Sequence, residues 1–297
     1  MRTHEWPADG RLGVAERVGV VMVSYNTASV TAQAVYALLR TVRTPALRLV
    51  VVDNASTDGS AELLTALAEA GLCEVIANRE QRYHGPALTQ AVDHLAATQT
   101  ADRRVGAVWV IDSDCIVLRS DTLSTGIDLM RTTGAGLVGQ WSDDRWSRPG
   151  DLLGLHCLLL DPVQIWRDPV VPFEEDGSPS RRLQESARQS GVTAAELPFT
   201  RDGYVVHLGR TTLRAVLHDD VRGNRYFDWA RTHAEPHFMD EPAAPRRYAA
   251  FRAEFDDDVG EPTAERLIAA CRRGRSGPSA AGPGRPGGPA VRGGAAG

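Results

Sequence analysis

The sequence predicts an α/β fold in which a mostly parallel sheet is covered by helices on both faces, followed by a smaller mixed region and a helical C-terminal extension. Three observations carry that prediction. The runs "RVGVVMVSY" (17–25), "LRLVVVDN" (47–54) and "GAVWVIDSD" (106–114) are almost continuously apolar, as strands are when both faces of a sheet are covered. Stretches with apolar residues at helical spacing separate them. The chain has 297 residues, 42% of them hydrophobic, enough for one large core.

In chain order, the strand at 17–25 leads into "SVTAQAVYALLRTV", with Thr27 or Ser29 as its start signal. The strand at 47–54 leads into "SAELLTALAEAG", which opens on Ser60. "CEVIAN" (73–78) reads as a third strand, and "PALTQAVDHLAATQ" as its helix, with Pro86 in the first turn where no N–H is needed. After the strand at 106–114 come "SDTLSTGIDLMRTTG", opening near Ser120, and a strand "AGLVGQW" (135–141). Strand and helix alternating in this way form a βαβ array.

From about residue 142 the pattern loosens into a loop "SDDRWSRPGD" and an apolar run "LLGLHCLLL", then a helix near 180–190 and strands "AAELPF" and "GYVVHLG". Helical pieces follow near 224–233, 245–254 and 262–272. The implied divisions are an N-terminal extension (1–16), an α/β half (17–141), a second half of the same domain (142–217), a helical C-terminal extension (218–273) and a tail (274–297). That tail is Gly, Pro and Ala with a few Arg, too poor in apolar side chains to repay ordering.

Composition narrows the chemistry. A net charge of −5 provides no general attraction for nucleic acid or an anionic membrane, so an anionic ligand needs a local device such as a metal ion. All 33 basic residues are arginine. The absence of lysine removes P-loop phosphate binding, Schiff-base chemistry and a pyridoxal phosphate anchor. Four scattered cysteines with no C-x-x-C pair give no zinc signature and read as reduced thiols, which suits a cytoplasmic location. The polar start "MRTHEWPADGRLGVAER" has no signal core, and no apolar run approaches the roughly 18 residues of a membrane span, so a soluble protein without an integral membrane segment is expected.

The chemistry-bearing residues fall at predicted strand ends. In an open parallel sheet, ligands bind beyond the carboxyl ends of the strands. Asp53, in "VVVDNASTDGS", stands where a carboxylate could accept N–H bonds from a nucleobase, with small turn-forming residues after it to leave room. Its plainer reading, with Asn54, is a strand end that caps the next helix. "VSYN" (23–26) is by itself a common loop ending. "VGAVWVIDSDCIVL" (105–118) carries a buried run straight into Asp112 and Asp114.

Together, and in this order and spacing, "VSYN", "VVDNASTDGS", a glycine-bearing loop and "WVIDSDCIVL" resemble the family 2 glycosyltransferases with the GT-A fold, a Rossmann-like, mostly parallel sheet. The resemblance spans about residues 17–215 and is supported by "YVVHLG". It implies transfer of a sugar from a nucleotide-diphosphate sugar, most often a uridine diphosphate sugar, to an acceptor hydroxyl on a small molecule or glycan. Inversion at the anomeric centre and a divalent metal, Mn²⁺ or Mg²⁺, are usual for such enzymes.

The resemblance also implies roles. Tyr25, Asn26, Asp53 and Asn54 would surround the nucleotide, and Gly85, followed by Pro86, would let backbone approach the donor. Asp114 would bind the metal, and Asp112 would share it or hold the ribose or a metal-bound water. Ser113 belongs to the donor site by position, its side chain turned away by the alternation of extended backbone. His207 would complete the metal shell late in the chain. The base that takes the acceptor proton would come from "PFEEDGSPSRRLQESARQSG", with Asp176 first, Glu175 second and Glu174 as the third acid. Trp146, and less so Trp141, would offer a ring to a sugar face. Thr89 departs from the usual Asn, while Arg79 and Arg82 are extra cations that meet phosphate or simply solvate the loop.

Two other readings use the same residues. A haloacid dehalogenase-like phosphatase also ends a buried strand on D-x-D, with Asp112 as nucleophile and Asp114 as acid/base. Its D-x-D belongs on the first strand of its domain, whereas three strands precede this one, and its customary lysine is missing. The other reading is a non-catalytic nucleotide-sugar-binding protein.

Overall fold

A computed structural model describes residues 6, 17–43, 45–100, 102–142, 151–166, 171–174, 178–209 and 241–276. The first half runs β1 (Arg17–Ser24), α1 (Ala28–Thr41), β2 (Ala46–Asp53), α2 (Ser60–Glu69), β3 (Glu74–Ala77), α3 (His84–Ala97), β4 (Ala107–Ile111), β5 (Cys115–Val117), α4 (Thr122–Thr133) and β6 (Leu137–Trp141). The second half runs β7 (Leu153–Leu160), α5 (Pro162–Ile165), α6 (Arg181–Gln189), β8 (Ala194–Glu196), β9 (Val205–His207), α7 (Ala244–Asp258) and α8 (Ala264–Ser276).

Seven strands make one sheet in the order β3-β2-β1-β4-β7-β6-β8. β3, β2, β1 and β4 pair in parallel, β7 is antiparallel to both β4 and β6, and β8 is parallel to β6. The sheet is thus mostly parallel, as expected. Because side chains alternate along a strand, β1 feeds two cores. Val18, Val20 and Met22 pack with Tyr36 and Leu38 of α1 and Leu64 and Leu67 of α2. Val21 and Val23 pack on the other face with Leu88 and Leu95 of α3. The unbroken apolar runs are needed because neither face is wet.

Two elements differ from the sequence expectation. "GAVWVIDSD" is not one strand. β4 stops at Ile111, the chain turns with the Cys115 N–H donating to the Asp112 carbonyl at 3.0 Å, and β5 leaves the main sheet to pair with β9. Ser113 is buried within that turn, so the alternation expected of extended backbone does not decide where it points. The run "LLGLHCLLL" is β7, the strand that reverses direction. Apolar periodicity reports burial and says nothing of direction.

α7 and α8 close over α1. Phe251 and Phe255 meet the Tyr36 ring at 6.2 and 5.2 Å, Tyr36 Oη donates to Asp258 at 2.8 Å, and Tyr248 Oη donates to Gln33 at 2.8 Å. The helix expected near 224–233 and Trp146 lie outside the described residues, as does the tail from residue 277.

At the amino ends of the strands, Glu74 collects two arginines and a histidine. Arg48 donates to it at 2.7 and 3.0 Å, His94 lies 2.7 Å away, and Arg103 pairs with it as well. Burial would raise the Glu74 pKa, but these hydrogen bonds outweigh it and bring the group down to about 2. A depressed carboxylate contributes stability above its ordinary pKa and loses it as pH falls toward the folded value. Glu74→Gln should therefore lower Tm at pH 7 by several degrees, the equivalent of about 1–2 kcal/mol. Thermal melts should show the gap to wild type closing between pH about 4.5 and about 2.

Candidate active site

The strand order sets the position of the site. The chain builds outward from β1 to β2 and β3, then returns past β1 to lay β4 on its other side, leaving a crevice at the carboxyl ends where the order switches. Ser24, the last residue of β1, is in register with Asp53, the last of β2, and Asp112 follows the end of β4. Among the described residues three non-glycines have positive φ, Asn26 (49°), Ala55 (69°) and Tyr83 (60°). Asn26 and Ala55 follow β1 and β2 and Tyr83 precedes α3, so the backbone strain gathers at this one edge.

Asp53 is 2% exposed. Its Oδ2 accepts the Ser56 N–H at 3.4 Å, and its Oδ1 is buried without a hydrogen-bond partner. Burial raises its pKa, partly offset by the bonds from Ser56. The two asparagines act on the walls around it. Asn26 Oδ1 accepts the Thr57 N–H at 2.7 Å, and the Asn26 N–H donates to Ser56 Oγ at 3.0 Å, tying the loop after β1 to the loop after β2. Asn54, also buried, accepts the Arg82 N–H and Asn78 Nδ2 at 3.0 Å each, and donates to the Tyr83 carbonyl at 3.3 Å. Both amides therefore shape the pocket. Tyr25 is buried beside them, while Arg79 and Arg82 are exposed.

Across the crevice the turn at 112–114 brings two carboxylates to histidines that lie far away in sequence. His207 Nε2 is 3.2 Å from Asp114 Oδ1 and 3.7 Å from Asp112 Oδ2, while His84 Nε2 on the first turn of α3 is 3.5 Å from Asp112 Oδ1. β9 reaches the turn because Cys115 pairs with His207 in the small sheet. The turn is held from β7, where the His156 carbonyl accepts the Asp112 N–H at 3.0 Å and Cys115 Sγ at 3.3 Å. The His156 ring stacks on His207 with centroids 4.6 Å apart and planes 8° from parallel.

The electrostatics follow from burial and crowding. Burial raises the Asp112 pKa, Asp114 adds to that, and His84 and His207 pull against it. Burial works to lower the pKa of His207, but Asp114 and Asp112 outweigh it and hold it above the ordinary histidine value. His156 is pushed down to about 3, first by burial and then by His207, and is a neutral ring. Asp112 Oδ1, His84 Nε2 and His207 Nδ1 are buried without hydrogen-bond partners. Two crowded carboxylates beside these orphaned atoms fit a small hard cation with oxygen and imidazole ligands. Ligand atoms of Asp114, Cys115 and His207 lie within 4.8 Å of one another. Cys115 is the poor member of that trio, since burial keeps its thiol protonated and its S–H is committed to the His156 carbonyl.

Gly85 has backbone packed against it. A Cβ there would lie 1.6 Å from the Glu174 carbonyl oxygen, so its missing side chain admits the backbone of 173–174 onto α3. Thr89 Oγ1 holds the same segment, accepting the Phe173 N–H at 3.0 Å and donating to the Phe173 carbonyl at 3.3 Å. The Glu174 carboxylate pairs with Arg182. Glu175 and Asp176 lie outside the described residues; Trp141 is half-buried at the end of β6. Sequence reasoning missed His84 and His156. His156 was the one polar side chain in an apolar run, which is a usable signal; His84 carried none beyond its place at a helix start.

Residues 19–151 match the model described as glycosyl transferase family 2, a stretch that contains Asp53, Gly85, Asp112 and Asp114. No curated protein sequence matches. Among solved structures, the fold is similar to that of a mannosyltransferase from Pyrobaculum calidifontis, in complex with GDP-Man and Mn²⁺, with a TM-score of 0.51 and 18% identity over 91% of this chain and 83% of that one. Others are S. aureus TarS (TM-score 0.49, 12% identity over 87% of this chain and 54% of that one) and glucosyl-3-phosphoglycerate synthase from Mycobacterium tuberculosis (TM-score 0.49, 18% identity over 70% of this chain and 77% of that one). The fold is GT-A, and with it the D-x-D falls after the fourth strand, where a phosphatase nucleophile would not stand.

Gly85→Ala sets a methyl group into backbone, which no rotamer change relieves. The variant should lose roughly 1–3 kcal/mol of stability and show faster limited proteolysis at residues 171–174. Unchanged melting and digestion would mean the segment does not dock on α3.

Proposed function

We propose that the protein transfers a sugar from a nucleoside-diphosphate sugar, a uridine diphosphate sugar first, to an acceptor hydroxyl with inversion, using Mn²⁺ or Mg²⁺. The observation that carries the reading is the convergence of Asp112, Asp114 and His207 Nε2 within 3.7 Å, on the same strand edge as the unpartnered Asp53 oxygen. The mannosyltransferase of similar fold is in complex with a nucleotide sugar and Mn²⁺, which supports the same assignment for this chain. Four free cysteines fit work in the reducing cytoplasm.

The residues divide the task. Asp53 presents one free carboxylate oxygen to the base, since the other already takes the Ser56 N–H. A single acceptor matches the lone imide N–H of uracil better than the paired donors of guanine. Asn26 ties the loops after β1 and β2 together and Asn54 fixes the segment 78–83, so that Asp53 stands between held walls. Asp114 and His207 would hold the metal, with Asp112 beside them; when bound it supplies Lewis-acid neutralisation of the departing diphosphate. That help matters in a chain without lysine, whose loop arginines Arg79 and Arg82 are exposed.

Asp176, with Glu175 second, accepts the proton of the acceptor hydroxyl, which then attacks the anomeric carbon from the face opposite the diphosphate. Glu174 is the third choice of the three, because its carboxylate is already paired with Arg182. A purely binding role would leave the donor intact on prolonged incubation, so turnover separates the two readings.

The test is release of nucleoside diphosphate from a panel of nucleotide sugars, with Mn²⁺ and with chelator. Asp114→Asn keeps shape and loses charge, so it should cut metal-dependent release by orders of magnitude, several kcal/mol of leaving-group stabilisation. Activity within a few fold of wild type would remove Asp114 from the metal. Asp53→Ala should instead raise the donor KM with little change in kcat, because a contact to the base binds ground and transition states alike. Calorimetry with uridine diphosphate checks this directly, and unchanged affinity would leave Asp53 as a strand end only.

A further inference from the structure

A histidine that binds a metal through one ring nitrogen usually donates the other N–H to a carboxylate or carbonyl, and that bond sets the orientation of the ring. His207 lacks this support. Its Nε2 faces Asp114, and its Nδ1 is buried with no hydrogen-bond partner. What lies flat against the ring is another imidazole, His156, at 4.6 Å and 8°.

His156 is held in place from two sides. Its backbone is locked in β7, opposite the turn that carries the carboxylates, where its carbonyl accepts from Asp112 and Cys115. Its ring lies over Gly154, where an added Cβ would come within 2.6 Å of Cε1 and 2.8 Å of Nδ1. The glycine in "LLGLHCLLL" therefore makes the slot that the ring fills, and His207 lies against the ring as its stacking partner.

We infer that His156 is a positioning residue for the metal site: its ring, backed by Gly154, stacks on His207 and keeps Nε2 directed at Asp114, in place of the hydrogen bond that a ligating histidine normally makes through its second nitrogen. This deepens the reading of His207 as a metal ligand and rests on it. A neutral aromatic ring of similar size should serve as well as imidazole, because stacking area and planarity are what the position uses.

The experiment compares His156→Ala, His156→Gln and His156→Phe. In the metal-free protein, NMR should show the carbon-bound ring protons of His207 shifted upfield by the neighbouring ring, with the shift lost in His156→Ala and His156→Gln and kept in His156→Phe. Mn²⁺ titration by electron paramagnetic resonance, with uridine diphosphate present, should show affinity falling about 10- to 100-fold in His156→Ala and recovering to within a few fold in His156→Phe. Should His156→Ala fail to fold, Gly154→Ala, which pushes the ring from behind, must weaken Mn²⁺ binding in the same direction. Unchanged ring shifts and affinity in His156→Ala or Gly154→Ala would overturn the inference, and so would rescue by Gln and not by Phe, which would point to hydrogen bonding. A wild-type protein that binds no Mn²⁺ would instead defeat the metal assignment, while the ring shifts would still report whether His156 orients His207.

Discussion

The site depends on one backbone carbonyl. His156 O, on the strand that runs against its neighbours, accepts both the Asp112 N–H and the Cys115 thiol. These two bonds stop β4 at Ile111 and turn the chain, so that Asp112 and Asp114 leave the main sheet together and β5 departs to meet β9. Without that turn the run would continue as a strand and Asp112 and Asp114 would stay in the main sheet. His207, 93 positions after Asp114, would then have no partner strand to carry it in. The antiparallel strand is the device that closes the edge of a parallel sheet into a cluster of acids and imidazoles.

The same arrangement answers an electrostatic problem. With no lysine in the chain and its loop arginines in solvent, the crevice gathers its charge control from acids and histidines. Burial and mutual repulsion raise Asp112, and the acids in turn raise His207, so proton and metal ion compete for one set of atoms. Asp53 faces a related strain, being buried with one oxygen unpaired. Each of these groups costs stability in the absence of a ligand. The network around Glu74 at the opposite end of the sheet, and the aromatic contacts of α7 with α1, hold the scaffold that bears this cost.

Much of this was legible in the sequence, for physical reasons that differ from element to element. β1, β2 and β4 announce themselves as apolar runs because a doubly covered sheet tolerates few polar side chains, and Asp53, Asp112 and Asp114 stand out because carboxylates rarely end such runs without purpose. His207 was placed by likeness, and the structure brings it to the carboxylates. The direction of β7 was not legible, since burial patterns are the same for either direction. The turn at 112–114 was hidden because its cause, a carbonyl some forty residues later, leaves no mark near it. Gly85 has the Glu174 backbone against it, a contact set by packing between distant segments that the sequence does not display.

The most direct measurement is a crystal structure grown with Mn²⁺ and uridine diphosphate, with anomalous data collected at the manganese edge. The account predicts one strong peak within bonding distance of an Asp114 oxygen and His207 Nε2, about 2.0–2.3 Å away, with the uracil imide N–H on Asp53. A peak bound elsewhere, or none with the nucleotide in place, would contradict it.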